Sequence, residues 1–175
     1  MKAKVASIVR VTAVCLFAGC GGGDSSGEGD AADPVSSAEA AQVCSDFSDH
    51  ATQCGWGGNI NGADWNCGDA SVVWRADVFR TVAECAIELD CEGSGVTCLQ
   101  LAFDVDPLPI HEQYATECAD QRDACSLTSD SDTSAFLLGC RSDALAAYAG
   151  PIMEAILSCL SESCDAIVPC LDDVL

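Results

Sequence analysis

Fourteen of the 175 residues are cysteine, the residue type with the widest chemistry in this chain. Thiols in such number can hold zinc, exchange disulfides or staple a fold, and spacing separates these uses. Structural zinc sites and thioredoxin-like exchange both draw on Cys-x-x-Cys pairs. From Cys44 onward the closest pair is Cys159 with Cys164, followed by Cys85 with Cys91 and Cys164 with Cys170, and no Cys-x-x-Cys occurs anywhere. The reading is therefore structural disulfides among Cys44, Cys54, Cys67, Cys85, Cys91, Cys98, Cys118, Cys125, Cys140, Cys159, Cys164 and Cys170, with no metal and no cofactor.

Other chemistry-bearing residues are few. Histidine is limited to His50 and His111, and neither His-Glu-x-x-His nor Gly-x-Ser-x-Gly is present, so local motifs assemble no hydrolase and no catalytic residue is assigned. Both histidines read as surface or partly buried structural residues. Asp130-Ser131-Asp132-Thr133-Ser134 opens like a calcium loop but has Ala135 where the glycine belongs and Arg141 where the bidentate glutamate belongs, so it reads as an acidic loop or helix cap. Trp56, Trp65 and Trp74 all lie in the first half of the chain. Exposed together they would form a binding patch for sugar rings or a protein partner; packed inside they would fill a small core.

The elements that must position these residues read as helices. Ser36-x-x-Glu39 is a capping box, and Ala40, Val43, Cys44, Phe47, Ala51 and Cys54 recur at three- and four-residue steps before Gly55 stops the run. A second helical stretch spans about 69–89, with a break expected at 74–77. Further helices are expected at 110–125, 134–148 and 151–161, the last with Pro151 in its first turn. Alternating β-branched runs and hairpin turns are scarce. The fold class predicted is mainly α.

The cysteines fall into two sets of six whose offsets, in order, are 74, 71, 73, 74, 73 and 72. Apolar residues keep the same register: Val78, Phe79, Val82 and Cys85 align with Ile152, Met153, Ile156 and Cys159. Trp74 aligns with Tyr148, and Val96-x-Cys98-Leu99 with Val168-x-Cys170-Leu171. We read this as an internal duplication giving two tandem bundles of three or four short helices, 36–103 and 104–175, joined at the proline-containing hinge Asp104 to Pro109. A unit of this size buries too little surface to be comfortably stable, so cross-links supplement its core. Six cysteines allow 15 pairings per unit. Helix rise removes some of these, because Cys118 with Cys125 in one unit, and Cys44 with Cys54 in the other, lie farther apart on one helix than a disulfide spans.

Charge sets limits on partners. The chain carries 28 acidic and seven basic residues, a formal charge of −21. Such a surface repels nucleic acid. At the N-terminus, Lys2, Lys4 and Arg10 precede the apolar run Val11 to Ala18, which is far short of the roughly 18 to 20 residues that cross a bilayer. That segment reads as a signal peptide, residues 1–19. Its removal would take away Cys15 and three basic residues, leaving four arginines against all 28 acids, a balance of −24. Residues 20–35 lack apolar periodicity and read as a flexible Gly/Ser/Asp tether with a reach of roughly 20 Å.

Leu16-Phe17-Ala18-Gly19-Cys20 resembles the lipobox of bacterial lipoproteins, with Ala18 and Gly19 as the small pair and Leu16 one place earlier than usual. The resemblance implies lipidation of Cys20, and parity supports it, since twelve cysteines then remain to pair. With its spaced cysteines in helical sequence, the whole chain is similar to cysteine-rich lipoproteins of the myxobacterial type. That similarity implies attachment to the bacterial cell envelope through lipid on Cys20, at the outer membrane or cell surface in preference to the inner membrane. It implies no activity. The leading reading is a non-enzymatic binding or structural module with a protein or glycan partner. A small carrier of lipid or apolar ligand stands as the alternative, and a secreted hydrolase using His50 or His111 as base stands behind that.

Overall fold

The computed structural model describes residues 32 to 174, apart from 58, 64, 129 and 130. The expected signal peptide, Cys20 and the part of the expected tether up to residue 31 lie outside the described residues. Among those described, the chain is mainly α-helical and has no strand, only two isolated bridges.

Helix α1 spans Ser37–Cys54 and is bounded as its sequence dictates. Ser36 Oγ accepts from the Glu39 N–H, and Gly55 closes the helix at φ 71°, a left-handed conformation that glycine adopts without Cβ strain. The capping box forms only on that side. The Glu39 carboxylate does not return to the Ser36 N–H but takes both Nε and Nη2 of Arg80, a charge-assisted fork stronger than a bond to a neutral amide.

Helices α2 (Cys67–Val73) and α3 (Ala76–Glu88) are separated where the break was expected, with Trp74 and Arg75 extended between them. Along α3, Val78, Phe79, Val82, Ala83 and Ala86 form one buried stripe. Helix α4, Gly95–Gln100, completes the first unit. In the second, α5 covers Pro109–Cys125, α6 Asp132–Leu137, α7 Gly150–Leu160 and α8 Cys164–Val174. Periodicity had not marked α4 and α8 as helices.

The helix expected at 134–148 is not formed. It stops at Leu137, and after Cys140 at φ 54° the chain makes only a single 3₁₀ turn, Asp143–Leu145. Two long-range partners account for the stop. Tyr114 of α5 donates its hydroxyl to the Leu137 carbonyl, and Arg122 Nη1 donates to Leu138 O at 3.3 Å, so the last carbonyls are tied to α5, and Leu137 O accepts the Cys140 N–H at 3.2 Å in place of the i+4 bond that would continue the helix. The Cys118–Cys140 disulfide then draws the chain back to α5.

Six disulfides use all twelve cysteines from Cys44 to Cys170, in the same order within each set. First pairs with third (Cys44–Cys67, Cys118–Cys140), second with fifth (Cys54–Cys91, Cys125–Cys164) and fourth with sixth (Cys85–Cys98, Cys159–Cys170). Each unit encloses its own core, centred on Phe47, Trp65, Phe79 and Val82 in the first and on Tyr114, Met153, Ile156 and Ile167 in the second.

The units meet at an antiparallel bridge between Trp74 and Tyr148. The Arg75 N–H donates to Ala147 O at 2.9 Å and the Ala149 N–H donates to Val73 O at 2.8 Å. Under the 74-residue offset that aligns Trp74 with Tyr148, each of these bonds is the counterpart of the other. The tail of the expected tether is also sewn into this junction: the Gly150 N–H donates to Ala32 O and the Ala76 N–H to Asp33 O, while Val35 is buried.

Candidate functional site

Where the three tryptophans fall decides the first candidate. Trp65 is 4% exposed, edge-on to Phe47 at 4.9 Å and tilted against Phe79 at 6.5 Å. Its Nε1 is buried without a hydrogen-bond partner. Trp74 is half-buried at the bridge between units, and Trp56 is half-buried beside α1. The structure therefore does not bring Trp56, Trp65 and Trp74 onto one exposed patch. Trp65 is withdrawn because the first core needs its bulk: α2 and α4 are short and supply few large side chains.

Trp56 instead belongs to a cluster around the Cys54–Cys91 disulfide. His50, one turn before Cys54 on α1, donates from Nε2 to Leu89 O at 2.8 Å, and the same nitrogen lies 3.7 Å from Cys54 Sγ. The carbonyl can only accept, so the proton sits on Nε2. The Trp56 ring meets the imidazole edge-on at 5.1 Å. Trp56 Nε1 donates to Cys91 O at 3.1 Å, and Asn61 Nδ2 donates to Gly93 O at 2.9 Å. Side chains from α1 and from the loop after it thus grip the 89–93 segment at several points besides the disulfide. Next to this grip lies an open, mainly polar cleft of about 570 Å³ lined by Trp56, Asn59, Asn61 and Gly62 among others.

The loop is pinned by one close approach. A Cβ on Gly95 would lie 2.1 Å from Ile60 Cγ2 and 2.9 Å from Asn61 O, so only glycine fits there. Ile60 is fully buried, and the Gly95 N–H donates to Asn61 O.

His111 corrects its sequence reading: it is wholly buried. Its Nδ1 accepts from the Leu108 N–H at 2.8 Å, supplying the reciprocal half of a helix cap, and its Nε2 donates to Tyr148 O at 3.1 Å. Burial, reinforced by the nearby Arg75 charge, holds its pKa below the ordinary 6.5, while the Tyr148 and Leu108 hydrogen bonds and Glu112 pull the other way. With both ring nitrogens engaged and no exposure, this imidazole orders the junction between units.

Arg75, which sequence reasoning passed over, is the centre of that junction. It is 6% exposed and forks onto Asp77, with Nη2 to Oδ2 at 2.6 Å, while Nη1 donates to Asp106 O and Ala146 O. The signal available was its rarity, one of four basic residues after residue 19, placed at the break between two helical stretches. The other three arginines also lie against carboxylates: Arg80 on Glu39, Arg122 on Asp123 and Arg141 on Asp143. The positive charge of the described residues is therefore neutralised locally, and the acidic excess is left to the surface.

Of the acidic segment at 130–134, Asp130 lies outside the described residues and Ser131 caps α6. Ser131 Oγ accepts from the Ser134 N–H and donates to Asp172 Oδ1, tying α6 to α8. Among the described residues no group of three or more His, Cys, Asp or Glu side chains is arranged to hold a metal ion. Nor is any of their helices long and apolar enough to cross a membrane. A second open cleft, of about 530 Å³, lies where the chain enters the head and is lined by Ala32, Asp33, Leu108, Pro109, Gly150 and Pro151 among others. No family model matches the chain, and no curated protein and no solved structure is similar to it.

Proposed function

We propose that this protein is an extracytoplasmic lipoprotein of the bacterial cell envelope, anchored through lipid on Cys20, whose stapled acidic head is a non-enzymatic binding or structural module. One observation carries the reading: all twelve cysteines of the head are paired. Disulfides in such density belong to oxidising compartments. Once Cys15 leaves with the leader, Cys20 is the one cysteine without a partner in the head, which suits a thiol reserved for acylation. One acyl chain holds a protein only marginally, and several hold it stably, so the head stays at its membrane.

The head is rigid where it leaves the tether, because Ala32 and Asp33 bond to the first residues of α7 and α3 and so orient both units together. Its surface suits a basic or neutral partner, protein or glycan, at the outer membrane or cell surface, and repels nucleic acid. The same reading takes the two units as copies of one ancestral unit. The shared pairing order and the reciprocal bonds at the Trp74–Tyr148 bridge support it.

Intact mass of the membrane-extracted protein, before and after reduction and alkylation, tests the anchor. The expected result is a chain beginning at Cys20, heavier by an acylated glyceryl group, that gains twelve alkyl groups only after reduction. A retained Met1, absent lipid mass or thiols free before reduction would overturn the reading.

A further inference from the structure

Four of the six disulfides contain a buried cysteine: Cys67, Cys98, Cys118 or Cys159. The two second-to-fifth pairs do not. In each the later cysteine, Cys91 or Cys164, is exposed and the earlier one, Cys54 or Cys125, is half-buried. A reductant therefore reaches these two first, attacking at Cys91 or Cys164. What then separates them is the leaving group. His50 stands four residues before Cys54 with Nε2 3.7 Å from its sulfur, whereas the residue four before Cys125 is Gln121, with Oε1 3.8 Å from that sulfur. An imidazole N–H beside the sulfur stabilises a thiolate by hydrogen bonding; the amide turns its oxygen, an acceptor, towards Cys125 and offers a thiolate no donor there.

We propose that Cys54–Cys91 is a reducible disulfide on an otherwise permanent scaffold, the site at which an external dithiol exchanges with this protein. One thiolate of the dithiol attacks Cys91 Sγ, forming a mixed disulfide, while the Cys54–Cys91 bond breaks and its electron pair leaves on Cys54 Sγ, where the His50 Nε2–H hydrogen-bonds the thiolate until it takes a proton from water. The second thiol of the dithiol then closes on the first and releases Cys91. The dithiol is oxidised by two electrons, and the protein gains two thiols. Asp90 and Glu92 flank Cys91, so a neutral dithiol is favoured over an anionic one. The site survives its own opening, since the bonds from Trp56 and Asn61 to the 91–93 backbone do not depend on the disulfide.

The test exposes the oxidised full chain to limiting dithiothreitol, quenches it with an alkylating mass tag and maps labelled peptides against time. Cys54 and Cys91 should be labelled about three- to tenfold faster than Cys125 and Cys164, a leaving-group effect. His50→Gln, which installs the residue the second unit tolerates, should abolish that lead, and Gln121→His should speed the opening of Cys125–Cys164. Each variant is first checked for the mass of six intact disulfides and for native helical circular dichroism. Equal rates in the unmodified chain, a buried pair opening first, or a lead that persists in His50→Gln would overturn the proposal.

Discussion

The two units share one order of disulfide pairing but fill the space between their helices differently. In the first, the loop after α1 returns to α4 and inserts Ile60 where Gly95 leaves room. In the second, the residue aligned with Gly95 is Ile167, itself wholly buried, and α8 packs directly on α6. An isoleucine is buried in both cases, once from a loop and once from the helix. The helix caps divide in the same way. Ser36 supplies one half of a reciprocal cap at α1, and His111 supplies the other half at α5. A covalent frame with matched spacing thus tolerates different solutions to packing and capping, provided each buried gap is filled and each polar group satisfied.

Deleting the second-to-fifth disulfides puts most strain on that comparison. They close loops of similar length, with separations of 37 and 39 residues, and loop closure alone assigns each about 4 kcal/mol. The double variant Cys54→Ser/Cys91→Ser should cost about 1 kcal/mol less than Cys125→Ser/Cys164→Ser, because His50, Trp56 and Asn61 still hold residues 89–93. Guanidinium unfolding of both measures this; the opposite order would show that the noncovalent grip adds nothing.

Arg75→Met addresses how the units are joined. It strands the Asp106 and Ala146 carbonyls and should cost about 2–4 kcal/mol. Unfolding followed by tryptophan fluorescence, confined to unit 1, should then separate from the transition seen by circular dichroism. Coincident transitions would mean that the backbone bonds at the bridge suffice.

Gly95→Ala asks whether the loop solution of unit 1 depends on the missing Cβ. The added methyl meets Ile60 and a backbone oxygen, an overpacking worth about 1–3 kcal/mol, and the thermal midpoint should fall accordingly. An unchanged midpoint would show that the loop shifts freely.

The smallest effect expected is that of pH at His111. Its folded pKa is lowered, so below 6.5 the unfolded chain binds a proton that the folded chain resists, and stability falls as pH drops through that range. Above 6.5 both states are neutral and the group contributes no slope. Denaturation midpoints between pH 7 and 5 should decline more steeply in the unmodified chain than in His111→Gln, whose amide can accept and donate without titrating.

Much of the helical frame was legible in local sequence. Ser36, Gly55 and the Trp74 break act within three or four residues of themselves, and each sits where periodicity placed it. The expected helix through 134–148 failed because its terminator is remote: Tyr114 and Arg122 lie on another helix. The candidate tryptophan patch failed for a related reason, since exposure depends on which neighbours a core lacks. The Cys54 environment was half legible. His50 is one helical turn from Cys54 in any helix, but only the fold brings Leu89, Trp56 and Cys91 to the same place.

The sequence by itself determined that the chain is helical, acidic and rich enough in cysteine for six disulfides, because composition and i to i+4 spacing act without reference to the rest of the fold. It also excluded pairing within a single helix. Tertiary structure alone decided which of the 15 pairings per unit forms, that His111 and Arg75 are buried together at the junction, and that a loop isoleucine occupies the space left by Gly95. Those outcomes are set by distances between segments tens of residues apart, and such distances exist only once the helices have packed.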